Sequence, residues 1–321
     1  MLMNSSKMIF ISIMVTSTMM MFSSSMFLFS WMSMEINLIV IMPLICKSKK
    51  MKDQSMKYFI IQSLSSSMLL ISMILNFLIE SPVNFEKLTL ISLMMKTGML
   101  PFDKWVPMIL QKLNWNMCFI MNTWQKISPT IVFCQVINFK TLILPLSLSL
   151  IFAPISLMKL LSMKKILAYS SIYNYPWMIL SIYLSKSMFL LFFSIYSMMN
   201  FILMKKMKNL NINFMNQVLN KNLLFKFSIL INLLSMSGLP PMMGFFPKWM
   251  ILNMTMNISL MLTIMMIFSS LISTFIYMKI ASSILMNQST KKKFFKTKFL
   301  NDKDLLLNSL GSLMFFILKP N

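Results

Sequence analysis

The chain has 321 residues, 57% of them hydrophobic, and carries thirty basic against seven acidic residues for a formal charge of +23. Apolar runs of about 18 to 25 residues follow one another with short breaks, which excludes a soluble globular chain, and the lack of ten-residue alternation excludes a β-barrel. Histidine is absent, which removes the usual ligand of bis-histidine haem, copper and most zinc chemistry.

Inside lipid, only helices or closed barrels satisfy every backbone polar group, so the expected fold class is an all-α, polytopic membrane bundle. About eleven transmembrane helices are predicted, over 6–24, 27–46, 58–80, 88–112, 115–138, 140–159, 165–185, 187–205, 224–252, 257–286 and 304–319. The first follows Lys7 with no A-x-A-like cleavage site, so it reads as a retained helix rather than a leader. The second holds Glu35. The fourth holds Lys96 and Lys104 and is interrupted by Gly98, Pro101 and Pro107 in the segment KTGMLPFDKWVP. The fifth carries Lys126. The ninth reads SGLPPMMGFFPKW, with Gly238, Pro240, Pro241, Gly244 and Pro247 ahead of Lys248, and the tenth carries Lys279.

Methionine reaches 42 while arginine is absent, the mark of a codon bias such as an AT-rich organellar genome imposes. The methionines therefore read as lipid-facing or packing residues rather than a copper site. Cys46, Cys118 and Cys134 lie far apart without C-x-x-C spacing and are given no disulfide or metal role.

The charge is one-sided. When alternate loops are assigned to the side that holds the N-terminus, that side receives twenty-one lysines; the other receives four, Lys87, Lys140, Lys186 and Lys319. The positive-inside rule makes the lysine-rich side the matrix or cytoplasmic face and puts the C-terminus opposite. The charge thus reads as a topology signal and a contact with anionic lipid, not as a nucleic-acid surface.

Five lysines and one glutamate sit deep inside the predicted spans: Glu35, Lys96, Lys104, Lys126, Lys248 and Lys279. Each costs at least about 2.5–3.5 kcal/mol near the bilayer centre. Lys104, next to Asp103, reads first as a local ion pair, and Lys279 is open to snorkelling. Glu35 and Lys96 each lie about 12 Å from the outer face and Lys126 about 17 Å from the inner one, at 1.5 Å per residue. They share a slab near the midplane, where Glu35 and Lys96 neutralise each other if their helices touch. A proline kink would explain one interrupted span. Two such spans, each with a buried lysine, point to broken helices whose loose ends hold water or ions, and so to a proton path.

The segments WMSMEINLIVIMP, KTGMLPFDKWVP, TWQKISP and GLPPMMGFFPKW occur in this order over nearly the whole chain. Together they resemble the antiporter-like membrane subunits of the mitochondrial NADH:ubiquinone oxidoreductase, respiratory complex I, in the arthropod form of the subunit 2 branch. The resemblance implies two inverted five-helix repeats, 1–138 and 139–286, with helices 4 and 9 broken in corresponding places, and a loop and peripheral helix over 287–321. It implies proton translocation coupled to NADH:ubiquinone electron transfer. Glu35 would pair with Lys96, Lys126 would lie on the central axis, and Lys248 would be the lysine of the second broken helix. Gly98, Pro101, Pro240, Pro241, Gly244 and Pro247 would make the breaks.

Asp103 and Asn174 stand where relatives commonly carry histidine. A relay here would therefore use lysine, glutamate, water and hydroxyls such as Ser170, Ser171 and Tyr173, with Asn174 orienting. The G-x-G-x-x-G pattern is absent and three cysteines cannot hold a four-cysteine cluster, so NADH, FMN, iron–sulfur clusters and ubiquinone are expected on other subunits, with no cofactor on this chain. The implied partners are subunits 4L and 4, the lateral helix of subunit 5, accessory subunits and cardiolipin. The implied location is the mitochondrial inner membrane, N-terminus in the matrix and C-terminus in the intermembrane space. Two other readings stay open: a stand-alone cation/proton antiporter of the related family, and a structural spacer.

Overall fold

Serine and threonine supply much of the polarity of these apolar runs, and they are tolerated because their hydroxyls bond back to their own helix. Ser12 donates to Ile9 O at 2.8 Å, Ser72 to Leu69 O at 2.7 Å and Ser269 to Met266 O at 2.8 Å. Helix is therefore the state that satisfies both backbone and side chain in lipid.

The computed structural model describes residues 5–24, 26–46, 49–78, 85–136, 138–219, 223–240 and 242–286. Among the described residues there is no strand, only an isolated antiparallel bridge between Ser162 and Phe214. The chain divides into two compact units, Met1–Ser149 and Leu150–Asn321. The division falls inside a helix, later than the repeat boundary expected at 138.

The first unit contains α1 (Ser5–Ser23), α2 (Phe27–Ile45), α3 (Lys49–Leu78), α4 (Glu86–Thr97), α5 (Trp105–Lys112), α6 (Trp115–Asn122), α7 (Trp124–Val136) and most of α8 (Phe139–Leu157). Polar side chains pin its helices together: Ser17 Oγ of α1 donates to Asn37 Oδ1 of α2 at 2.8 Å, and Trp31 Nε1 of α2 donates to Ser66 O of α3 at 3.1 Å. The second unit contains α9 (Met163–Leu184), α10 (Lys186–Asn209), α11 (Met215–Leu219), α12 (Leu223–Ser237), α13 (Phe245–Met256) and α14 (Leu260–Met286). In it, Ser185 Oγ caps α10 by accepting from Met188 N, which turns the chain back antiparallel to α9.

Six described helices are long and apolar enough to cross a membrane: Ser5–Ser23, Phe27–Ile45, Lys52–Asn76, Phe139–Leu157, Lys186–Asn209 and Leu260–Ile284. The predicted spans 88–112, 115–138 and 224–252 each appear as two shorter helices, α4 with α5, α6 with α7 and α12 with α13. The span expected at 165–185 is the single helix α9, whose polar AYSSIYNYPW stretch lowers its hydropathy. The span 304–319 lies outside the described residues, as does Pro241. Methionines take both expected places: Met21, Met34 and Met266 are buried, while Met19 and Met261 face outward.

Candidate functional site

A helix that stops inside a membrane must find donors for its last carbonyls. At the end of α4 the carbonyls from Leu93 to Lys96 all have donors. The N–H groups of Gly98 and Met99 both reach Met94 O, at 3.0 and 3.1 Å. Thr97 Oγ1 donates to Leu93 O at 3.0 Å, Trp105 Nε1 to Met95 O at 3.1 Å, and Gln62 Nε2 to Lys96 O at 3.0 Å. Gly98 makes the exit possible at φ +72°, a left-handed conformation, and a Cβ there would collide with Val106. Pro101 lies in the turn that follows, and Pro107 is the third residue of α5, in the first turn, where proline is tolerated.

With its carbonyl held by Gln62, Lys96 projects its amine towards α2. Its Nζ lies 3.9 Å from Glu35 Oε1, an ion pair between α4 and α2. Neither of these two atoms has a hydrogen-bond partner. Lys96 also lines a cavity in the first unit together with Lys126, Tyr58, Gln62, Asn122 and Gln125. Measured as the volume open to water centres, the cavity is about 30 Å³, and about 10–15 Å³ accommodates one molecule. It has room for about two waters between the amines.

Lys126 reaches this cavity because its helix is broken as well. α6 ends at Asn122, Thr123 departs from regular helix at φ −114°, ψ −74°, and Lys126 is the third residue of α7. Thr123 Oγ1 and N both bond Phe119 O, closing the end of α6. Proline, farther on at Pro129, has no N–H for the preceding turn.

The second unit holds another lysine at another break. α12 leaves helix at Gly238, φ +87°, and the chain re-enters at Gly244, where a Cβ would run into the backbone carbonyl of Ser235. Pro240 sits in the exposed turn and Pro247 in the first turn of α13. Here the orphan carbonyls are capped by the amine itself: Lys248 Nζ donates to Ser237 O at 2.9 Å and to Met236 O at 3.2 Å. The same Nζ lies 4.8 Å from the Tyr173 ring centre and 5.5 Å from that of Trp177, both of α9. Lys126 and Lys248 are each 5% exposed.

One expected placement differs. Asp103 is buried and Lys104 exposed, so the local ion pair does not form, because consecutive side chains in this turn face opposite ways. Lys279 is exposed on α14. Conversely, Lys206 and Lys226, counted with the charged loops, are buried, and Lys206 Nζ donates to Ser228 O at 3.4 Å. Sequence reading passed over Tyr58, Gln62 and Gln125; the available signal was an amide or phenol recurring within otherwise apolar runs.

Residues 23–273 match the family model described as NADH:quinone oxidoreductase/Mrp antiporter, transmembrane. The chain belongs to this family. It is 34% identical over 292 residues to the NADH-ubiquinone oxidoreductase chain 2 of Locusta migratoria, covering 87% of this chain and 85% of that one. It is 30% identical over 322 residues to the chain 2 of Anopheles gambiae (96% and 94% covered) and 31% over 313 residues to that of Sus scrofa (91% and 90%). The fold of the family is also seen in a chain of respiratory complex I from Thermus thermophilus, at TM-score 0.80 and 16% identity over 98% of this chain and 78% of that one. A chain of the Mrp complex from a Dietzia species superposes at TM-score 0.68 and 13% identity, over 85% of this chain and 59% of that one.

Proposed function

We propose that this chain is a proton-translocating membrane-arm subunit of respiratory complex I in the mitochondrial inner membrane, coupling NADH:ubiquinone electron transfer to proton movement. The observation that carries the reading is Glu35 facing Lys96 at 3.9 Å beside a cavity that Lys126 also lines. Electron transfer elsewhere in the complex sends an electrostatic disturbance along the membrane arm. When the Glu35 carboxylate is drawn away or compensated, the Lys96 ammonium loses its counter-charge and gives up a proton to water in the cavity, and Lys126 takes it. Lys248 serves as the titratable station of the second unit. Burial penalises each uncompensated charge, so moving one charge redistributes the others.

In this reading the chain crosses the membrane eleven times as two inverted five-helix repeats broken at helices 4 and 9, with Gly98, Pro101, Pro240, Pro241, Gly244 and Pro247 making the breaks. Internal likeness supports the repeats: Gly98 and Gly238 both take positive φ, and each is followed nine residues later by a proline, Pro107 and Pro247, in the first turn of the next helix. The N-terminus lies in the matrix, and the redox groups sit on other subunits. Its neighbours are subunits 4L and 4, the lateral helix of subunit 5, accessory subunits and cardiolipin.

Lys126→Ala in the assembled complex tests the assignment. NADH oxidation should continue with fewer protons moved per electron, and a normal ratio would remove Lys126 from the path. Identity of 30–34% to chain 2 relatives over 87–96% of this chain favours this reading over a stand-alone antiporter, which would exchange cations for protons in liposomes without partners.

A further inference from the structure

Among the buried polar atoms of the second unit that lack a hydrogen-bond partner, four cluster: Tyr196 Oη, both amide atoms of Asn200, and Tyr277 Oη. All three residues are more than nine-tenths buried. Tyr196 and Asn200 stand one turn apart on α10, and Ser171 of α9 faces the same hydroxyl. Ser170 of α9 faces the Tyr277 hydroxyl, and the phenols of Tyr173 and Tyr196 lie near it. These side chains lie within contact range of one another yet leave the four atoms short of full hydrogen bonds, so the cluster retains capacity to bind water. Buried polar atoms in proteins are overwhelmingly partnered, by water where protein does not reach.

A cavity begins this seam. It is about 20 Å³ in water-centre volume, space for one or two molecules, and is lined by Lys248, Asn174, Tyr196 and Met236 among others. From there the seam has a direction. Ser171 and Ser170 lie closer than Tyr173 to the α9 end at Met163, and Asn200 lies closer than Tyr196 to the α10 end at Asn209. Those two helix ends are tied together by Met163 N to Asn213 O at 2.9 Å and Met215 N to Leu161 O at 3.0 Å. Lysines at that end include Lys164, Lys165, Lys205, Lys206 and Lys208.

We propose that Tyr196, Asn200 and Tyr277, backed by Ser170 and Ser171, bind a short file of water that carries protons between Lys248 and the lysine-bearing end of this unit. The proposal rests on the proton-translocating reading above and supplies that reading with a histidine-free relay. Each step is a proton hop. The Lys248 ammonium gives one N–H proton to the first water, which gives one of its own to the next oxygen. A phenol on the way accepts a proton on Oη and releases the one it held, so it ends uncharged. Asn200 neither gains nor loses a proton; its amide donates to one water and accepts from the next, holding the file in line.

The test uses the assembled complex in inner-membrane vesicles with Tyr196→Phe, Tyr277→Phe, the double variant and Lys248→Met. Phenylalanine keeps the ring and removes only the oxygen. The double variant should lose as much proton movement per electron as Lys248→Met while NADH oxidation persists. If Lys248→Met lowers the ratio and the double variant leaves it at the wild-type value, the water file is overturned and the wider reading stands. If Lys248→Met itself changes nothing, the failure belongs to Lys248's assigned role. A second measurement needs no variant: a map of the unmodified complex that resolves ordered water should place it against Tyr196 Oη, Asn200 and Tyr277 Oη, and dry sites there would overturn the proposal.

Discussion

The Glu35–Lys96 pair is open to a double-mutant cycle. Two unit charges 3.9 Å apart interact by about 4 kcal/mol at an effective dielectric of 20. That figure is an upper bound here, because the Glu35 side chain is 26% exposed and the contact lacks hydrogen-bond geometry, so screening reduces it to roughly 2 kcal/mol. At about 1.4 kcal/mol per decade this is a coupling of about 30-fold. Glu35→Gln and Lys96→Met should each slow proton pumping, measured per assembled complex in vesicles. The pair of changes together should be about 30-fold less harmful than the product of the two single effects. Each single change leaves one uncompensated group in lipid, and the double change leaves none. Effects that simply multiply, with coupling under about 0.5 kcal/mol, would mean that the two groups do not act as a unit.

Two further predictions concern the break itself. Gly98→Ala forces a side chain into a left-handed conformation, worth about 1–2 kcal/mol, and displaces Val106, worth about 1–3 kcal/mol more. The assembled complex should inactivate at lower temperature, and adding Val106→Ala should recover only the second part; a wild-type inactivation midpoint for Gly98→Ala would refute the account. Gln62→Leu leaves the Lys96 carbonyl without its donor, which should destabilise by about 1–3 kcal/mol in the same heat-inactivation assay, whereas an unchanged midpoint would show that another donor takes over.

What could be read in advance follows from cost. An ionised side chain in lipid is too expensive to stand alone, so depth put Glu35 and Lys96 in one slab as partners if their helices touch, the family resemblance implied the pair, and the structure sets them 3.9 Å apart. Glycine at Gly98 and Gly238 announced the two exits from helix, since positive φ falls to glycine by default. The break at Thr123 gave no such notice, because neither glycine nor proline marks it, and it decides where Lys126 points. Hydropathy averages over long windows also hid the single polar residues that cap α4. Gln62 lies one helical position among mostly apolar neighbours, yet it holds the carbonyl of the residue whose amine meets Glu35. The lysine count erred in another direction: it took Lys206 and Lys226 as loop charges, but burial makes them structural members of the second unit.

The two glycine breaks meet the same backbone problem with different chemistry, and this changes what a substitution measures. At α4 the exposed carbonyls are served by neutral donors, Gln62 and Trp105, so Lys96 spends its amine on Glu35 alone. At α12 the donor is the lysine: Met236 O and Ser237 O both depend on Lys248 Nζ. Lys96→Met therefore removes a charge and leaves the helix end closed. Lys248→Met removes a charge and also strips two carbonyls at the end of α12 of their donor, at about 1–3 kcal/mol each. Charge-assisted bonds are about twice as strong as neutral ones, so the grip of Lys248 on the end of α12 is itself tied to the proton it carries. On the proposed role, proton loss in the first unit would break a contact between side chains, whereas in the second it would loosen the backbone at the break.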